Sequence, residues 1–189
     1  SIAHFFVVQN ITEESKEVIY AYGMELLISD VLNTIIVLLI ALFSHTLPAV
    51  VVFIAVFMGL RQFVGGFHAN SHLSCMFTLV MVMMVFSYGI CNVSGHITPI
   101  FSISFIMIAL PIILCIAPVP HPNKPMSEEK SVKLRKRSCI LAVTLSVVTI
   151  ALLVFQYQKL SLYVSSGMLL SAIMALLGHF LNRGDNSKR

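Results

Sequence analysis

Residues 61–75, "RQFVGGFHANSHLSC", place an imidazole and a thiol between two long apolar runs. His68 and Cys75 are a base and a nucleophile, the pair that a cysteine peptidase needs. On a continuous helix, side chains seven positions apart lie about 10 Å from each other, too far for a hydrogen bond. Gly65 and Gly66 permit a non-helical backbone, which would fold His68 back towards the sulfur of a helix that begins near Ser71.

Cys75 differs from the other cysteines because polar side chains surround it. The others lie in or at the ends of apolar runs, where a thiol behaves as a small buried hydrophobe: Cys91, Cys115 and Cys139. A nucleophilic cysteine must ionise, and a nearby imidazole, a helix N-terminus and a cation such as Arg61 all stabilise the thiolate. We therefore predict that Cys75 is the reactive thiol.

The same residues permit a metal site as an alternative. His68, His72 and Cys75 at i, i+4 and i+7 have the spacing of three zinc ligands with an open fourth position. Against this, no carboxylate lies between Asp30 and Glu128 to act as a general base. Arg61 would also repel a dication. The prediction is a site without metal or other cofactor.

Composition assigns the chain to the membrane proteins. Of its 189 residues 58% are hydrophobic and 11% charged, and the mean hydropathy is +0.93. A bilayer core takes about 20 helical residues, and polar breaks divide the apolar runs to match. We predict one all-α, polytopic domain over 1–189, with about six transmembrane helices at 23–43, 47–63, 73–90, 100–117, 138–157 and 162–181.

An amphipathic interfacial helix is predicted at residues 1–22, ahead of the first span. With six spans and a cytoplasmic N-terminus, every Lys and Arg except Lys159 falls on one side, which satisfies the positive-inside rule. Both termini and residues 61–75 are therefore expected at the cytoplasmic face of a multi-pass plasma membrane protein.

A basic loop is predicted at residues 118–137. It has two interpretations: an anchor on anionic lipid, or a binding surface for an acidic or amphipathic peptide. The candidate substrate-binding cations are Lys124, Lys133, Arg135, Lys136 and Arg137. Nucleic acid is not an expected partner, because no basic groove with interleaved aromatic residues is present.

The motif formed by Arg61, the two glycines, His68 and Cys75 resembles the signature of the AgrB family, the accessory gene regulator membrane endopeptidases of Gram-positive bacteria. The resemblance extends to "AYGMELLISD", to "APVPHPNKP" and to the basic run that follows. It implies that His68 and Cys75 are the catalytic pair and that Arg61 and Gly66 support activity. His72 stands where other members carry Ser, which weakens a metal role for it.

The resemblance implies a cysteine endopeptidase for quorum sensing that acts on a small propeptide of the AgrD type. It would cleave the C-terminal tail through an acyl thioester and promote closure of the remainder into a thiolactone or lactone autoinducer. Gly65 and Ser71 are further supporting or positioning residues. A third catalytic residue stays open among Asn70, Ser71, Glu25 and Asp30.

Small residues in the last predicted span indicate a close helix contact, within one chain or between two, and a homodimer is weakly favoured. They are Ser165, Ser166, Gly167, Ser171 and Ala175. A small transporter with a His-rich path also fits six spans. It would require polar residues deep in several spans, and few are present.

Overall fold

The computed structural model describes residues 17–65, 81–82, 85–90, 92–93, 96–119 and 128–186. This part of the chain is all helical, without strands, which confirms the predicted α class. It contains five α-helices and one π-helical turn: α1 (Glu17–Phe43), α2 (Leu47–Val64), the π-helical turn (Phe86–Ile90), α3 (Thr98–Ile116), α4 (Glu128–Val154) and α5 (Gln158–Asn186).

Four helices in the described residues are long and apolar enough to cross a membrane: Leu47–Val64, Thr98–Ile116, Ser131–Val154 and Gln158–Phe180. α1 adds a shorter apolar stretch, Val31–Phe43. Large apolar side chains such as Ile100, Met107 and Val147 face outwards, as lipid-facing residues do. The protein is therefore a multi-pass membrane protein. Most of the predicted third span, 73–90, lies outside the described residues.

Two helical hairpins, α1–α2 and α4–α5, close by the same capping geometry. The N–H of Thr46 donates to the carbonyl of the fifth preceding residue at 2.9 Å, with His45 in the left-handed region at φ 55°. The N–H of Tyr157 does the same at 2.8 Å, with Gln156 at φ 64°. This is the Schellman arrangement, which satisfies the last carbonyls of a helix before the chain reverses.

Helices α2, α3 and α5 run in the same direction. The C-terminal ends of α2 and α3 meet where Gly65 pairs with Val119, and the hydroxyls of Ser102 and Ser161, near the N-terminal ends of α3 and α5, are 3.1 Å apart. We call the end of the bundle that carries Gly65 and Val119 the Gly65 end. Thr98, where α3 begins, lies at the opposite end of the bundle from Gly65.

The π-helical turn packs on α2 and α5. The ring of Phe86, in the π-helical turn, lies 4.1 Å from that of Phe53 on α2 and 6.0 Å from that of Tyr163 on α5, measured between centroids. Phe53 and Phe86 are both buried. Tilted and edge-to-face ring pairs of this kind contribute to stability beyond the area that they bury.

Helix α5 packs on α2, α3 and α4 through a face of small residues. A Cβ atom added at Gly167 would lie 3.0 Å from the Phe53 carbonyl oxygen and 3.1 Å from Val56 Cβ. One turn later, the Ser171 hydroxyl is 3.4 Å from the Phe57 carbonyl oxygen. The predicted close contact is thus made within one chain, so these residues no longer support a homodimer.

Two predicted boundaries differ from the structure. α1 begins at Glu17 and is continuous with the first span, so there is no break at residues 22–23; residues 1–16 of the predicted interfacial helix lie outside the described residues. α4 begins at Glu128, well inside the predicted loop 118–137 and ahead of the predicted span start at Ser138. In both cases hydropathy detects only the apolar part of a longer helix.

Gly167→Val should lower the free energy of unfolding by about 1–3 kcal/mol, because its methyl groups have no space between α5 and the backbone of α2. Gly59→Ala is the matched control: a Cβ there meets no atom within 4 Å. It should leave stability unchanged or raise it. Thermal unfolding in detergent checks both, and equal melting temperatures for the two variants would contradict the packing.

Candidate active site

Gly65 ends α2 with a backbone conformation that favours glycine. Its φ is 73° and its ψ is −153°, and its N–H donates to the carbonyl of Arg61 at 3.0 Å. A Cβ atom here would lie 2.5 Å from the carbonyl oxygen of Val119, closer than two such atoms can approach. Residues after Gly65 therefore leave the helix in a direction that depends on this glycine.

A pair of main-chain segments meets at this point. The N–H of Val119 donates to the carbonyl of Val64 at 2.9 Å, and Gly65 and Val119 form an isolated parallel bridge. Val64, Val119 and Leu60 are buried in one apolar cluster with the end of α3. The structure thus joins the beginning of segment 61–75 to the beginning of segment 118–137, which are far apart in sequence.

Arg61 lies in the last turn of α2, where a cation is favoured by the helix dipole. Its side chain is half-buried, and the guanidinium carbon lies 5.5 Å from the centroid of the Phe57 ring, a cation–π contact. The contact directs the guanidinium back along α2 towards the preceding turn. It stabilises the positive charge at the C-terminal end of α2.

The basic residues of segment 118–137 that the structure describes lie on the first turns of α4, at the Gly65 end. Lys133, Arg135, Lys136 and Arg137 are all exposed. Lys133 pairs with Glu129, but both side chains are largely exposed, so this ion pair contributes little stability. The cations thus form a charged surface, the basic helix start, on a regular helix rather than in a loop.

Several predicted site residues lie outside the described residues, and the structure neither brings them together nor separates them. They are Gly66, His68, Ser71, Cys75 and Lys124, as well as His72 of the alternative zinc site. Within the described ranges, no group of three or more His, Cys, Asp or Glu side chains could hold a metal ion. Glu25 and Asp30 lie in the first half of α1.

Two features of this end were missed from the sequence. The Gly65–Val119 pairing is non-local and has no signal in either segment alone. Asn33 is 1% exposed, and its Oδ1 finds no donor among the described residues. An unpaired buried polar atom lowers the stability of the fold by about 1–3 kcal/mol, so a role other than stability is expected for it. The signal available in the sequence was Asn33 itself, a polar residue at helical spacing from the apolar residues Val37 and Ala41.

Together, the fold and this end of the bundle define a helical, multi-pass membrane protein with a glycine turn at positive φ beside a basic helix. The chain matches the family model for accessory gene regulator B over residues 1–175. It therefore belongs to the AgrB family. No solved structure matches the chain.

An individual relative agrees with the family model. The chain is similar to an AgrB-like protein of Clostridium beijerinckii, with 24% identity over 138 residues, which cover 71% of this chain and 67% of the relative. Membership of this family connects the chain to accessory gene regulation and to peptide processing at a membrane.

Gly65→Ala should lower the free energy of unfolding by at least about 1–2 kcal/mol, because a side chain disfavours positive φ and its Cβ would overlap the Val119 oxygen. Gly89→Ala is the control, since a Cβ at Gly89 meets no atom within 4 Å. Thermal unfolding of both variants in detergent is the measurement. A Gly65→Ala protein as stable as the wild type would show that this turn does not have the described geometry.

Proposed function

We propose that this protein is a membrane cysteine endopeptidase that removes the C-terminal tail of an AgrD-type propeptide and promotes cyclisation of the remainder. Family membership supports a role in propeptide processing. The observation that carries the proposal is the Gly65–Val119 pairing, because it fixes Gly65, from which the chain continues towards His68 and Cys75, at the end of the bundle that carries the basic helix start.

In the first step, His68 takes the thiol proton of Cys75, and the sulfur attacks the scissile carbonyl carbon. Backbone N–H groups near the start of the following helix stabilise the oxyanion, with Arg61 adding positive charge. The carbon–nitrogen bond then breaks, and His68 donates its proton to the leaving amine. The tail departs, and the rest of the propeptide is held on Cys75 as an acyl thioester.

In the second step, a thiol or hydroxyl of the propeptide attacks this thioester. The new bond closes a thiolactone or lactone ring, and the proton of the attacking group passes through His68 to the Cys75 thiolate. The thioester is an activated acyl group, so the exchange that closes the ring needs no separate activation of the carbonyl. A site at the membrane boundary that excludes water favours ring closure over hydrolysis.

The basic helix start is proposed to hold the propeptide near this site. Its exposed cations lie at the same end of the bundle as Gly65, whereas Lys159 begins the helix at the other end. This asymmetry supports a cytoplasmic location for the Gly65 end and for both termini. It also fits the proposed count of six spans, in which residues 66–97 include a crossing.

Two alternatives from the sequence stand beside this proposal. A zinc protease would use His68, His72 and Cys75, which all lie outside the described residues. A transporter needs polar groups aimed at a path, whereas buried hydroxyls such as those of Ser146 and Thr149 bond back to carbonyls of their own helix, each at 2.8 Å.

Cys75→Ala should abolish propeptide cleavage with the fold intact, and Cys75→Ser should be nearly inactive, because a hydroxyl ionises far less readily than a thiol. His68→Ala should slow cleavage by roughly 10²–10⁴-fold, the range for a positioned acid–base group. His72→Ala should have a much smaller effect. Cleavage by purified protein in lipid, followed by mass spectrometry of the propeptide, measures all four.

Controls for this prediction come from the chain itself. Cys115→Ala and Cys139→Ala should cleave at the wild-type rate, and a strong chelator should leave wild-type cleavage unchanged. An essential His72 with a dispensable His68, or loss of activity on chelation with recovery on adding zinc, would revive the metalloprotease instead.

Neutralising Lys133, Arg135, Lys136 and Arg137 together with Gln should raise KM for the propeptide by roughly tenfold or more, with little change in kcat. The reason is that these exposed charges attract substrate but do not take part in bond breaking. Lys159→Gln, at the opposite end of the bundle, should leave KM unchanged. If the quadruple variant keeps its KM and differs only in membrane insertion, the basic helix start is an anchor.

A further inference from the structure

Asn33 is a buried polar residue whose side-chain oxygen is unsatisfied within the described part of the chain. It is 1% exposed, and its Oδ1 has no donor among the described residues. The buried serine and threonine hydroxyls solve the same problem by donating to carbonyls of the preceding turn, as Ser146 and Ser171 do. An amide oxygen only accepts, and the backbone N–H groups of a helix are already used, so a donor must come from outside α1.

Asn33 lies at a depth that suits a role at the candidate site. It forms one stripe of α1 with Val37 and Ala41, which pack into the same apolar cluster as Phe53 and Phe57. Asn33 and Phe57 are equally far along the sequence from His45, at the hairpin turn, so they lie at about the same height. The Arg61 guanidinium contacts the Phe57 ring from the turn nearer the Gly65 end.

Helix α1 is also the helix best able to admit a partner. Among the described helices its main neighbour is α2, whereas α5 packs on α2, α3 and α4, and α4 also packs on α2 and α3. Asn33 is closed off from solvent. Because α1 has few contacts with the other described helices, a movement of α1 is the simplest way for a ligand to reach it. Such a movement leaves the contact of Gly167 with α2 intact.

We infer that Asn33 Oδ1 accepts a hydrogen bond from a backbone N–H of the propeptide, bound beside α1 at the height of Phe57. The inference rests on the proposed function and adds a substrate-binding residue to it. A peptide segment at membrane depth must satisfy its own N–H groups, since neither lipid nor Val37 and Phe57 can accept from them. The Asn33 Oδ1 atom, a buried acceptor without a donor among the described residues, can accept a hydrogen bond from one of these N–H groups.

The inference predicts opposite effects on stability and on binding. Replacing Asn33 by Leu, a side chain of similar size, removes an unpaired buried acceptor, so the melting temperature should be unchanged or higher. The same change removes the acceptor for the propeptide. Binding should therefore weaken by roughly tenfold, the value of one hydrogen bond at a buried site.

The experiment uses the full chain in lipid nanodiscs and a fluorescently labelled, synthetic AgrD-type propeptide. Kd is measured on the Cys75→Ala background, where cleavage does not interfere, with and without Asn33→Leu. KM and kcat are measured with Cys75 present, and Asn33→Leu should raise KM about tenfold with little change in kcat. Asn33→Ala serves as a second variant that cannot overpack, and Ser146→Ala, a buried hydroxyl in α4, should change neither Kd nor KM.

A propeptide series tests the same bond from the side of the substrate. In this series one backbone N–H at a time is replaced by N–CH₃. One position should weaken binding to the Cys75→Ala protein by about tenfold and have no further effect on the protein that also carries Asn33→Leu.

Three outcomes would overturn the inference. A lower melting temperature with unchanged Kd would show that Asn33 serves the fold alone. Additive effects of Asn33→Leu and of every N-methyl position would show that no propeptide N–H bonds to it. A wild-type protein that neither binds nor cleaves the propeptide would instead refute the proposed function, and the assignment of Asn33 with it.

Discussion

The close approach of α5 to α2 at Gly167 is the contact on which the rest of the bundle depends. Apolar side chains gain little by leaving lipid for a protein interior, so membrane helices associate where small residues let their backbones meet. Gly167 lies against the Phe53 carbonyl, and Ser171 reaches the Phe57 carbonyl one turn later. These contacts fix the height of α2 relative to α5, and hence the position of everything at the C-terminal end of α2.

That end is where two distant parts of the chain meet. Once α2 and α3 are held in parallel by α5, Gly65 and Val119 come together, and the glycine conformation determines how the chain leaves α2. The basic helix start of α4 lies at the same end because α4 and α5 form a tight hairpin. A peptidase site proposed after Gly65 would therefore have a positively charged surface beside it without needing a dedicated domain.

Hydropathy predicted the all-helical class and the positions of four spans, because a run of about 20 apolar residues has the length of a helix that crosses the bilayer core. It misplaced the beginnings of α1 and α4, since a helix continues into water wherever local interactions support it. In α4, Glu128 and Glu129 stabilise the first turn through the helix dipole, and Lys133 pairs with Glu129. A hydropathy profile registers none of these effects.

The candidate site was predictable in part. Residue types and spacing indicated His68, Cys75 and Gly65, and the structure adds a positive φ and a tight contact at Gly65. The serine and glycine stripe of α5 indicated a close contact, but only the packed bundle shows that α2 is the partner within the same chain. The pairing of Gly65 with Val119 and the unpaired Oδ1 of Asn33 depend on which helices become neighbours, and no local pattern contains that information.

The central claim is that a propeptide becomes attached to Cys75 during processing. The most direct test is intact-protein mass spectrometry of the wild-type chain, quenched in acid after brief mixing with an AgrD-type propeptide, followed by peptide mapping. The account predicts a mass increase equal to the propeptide without its C-terminal tail and without one water, located on Cys75 and removed by hydroxylamine. An adduct on Cys91, Cys115 or Cys139, or cleavage with no adduct at any thiol under conditions that trap thioesters, would contradict it.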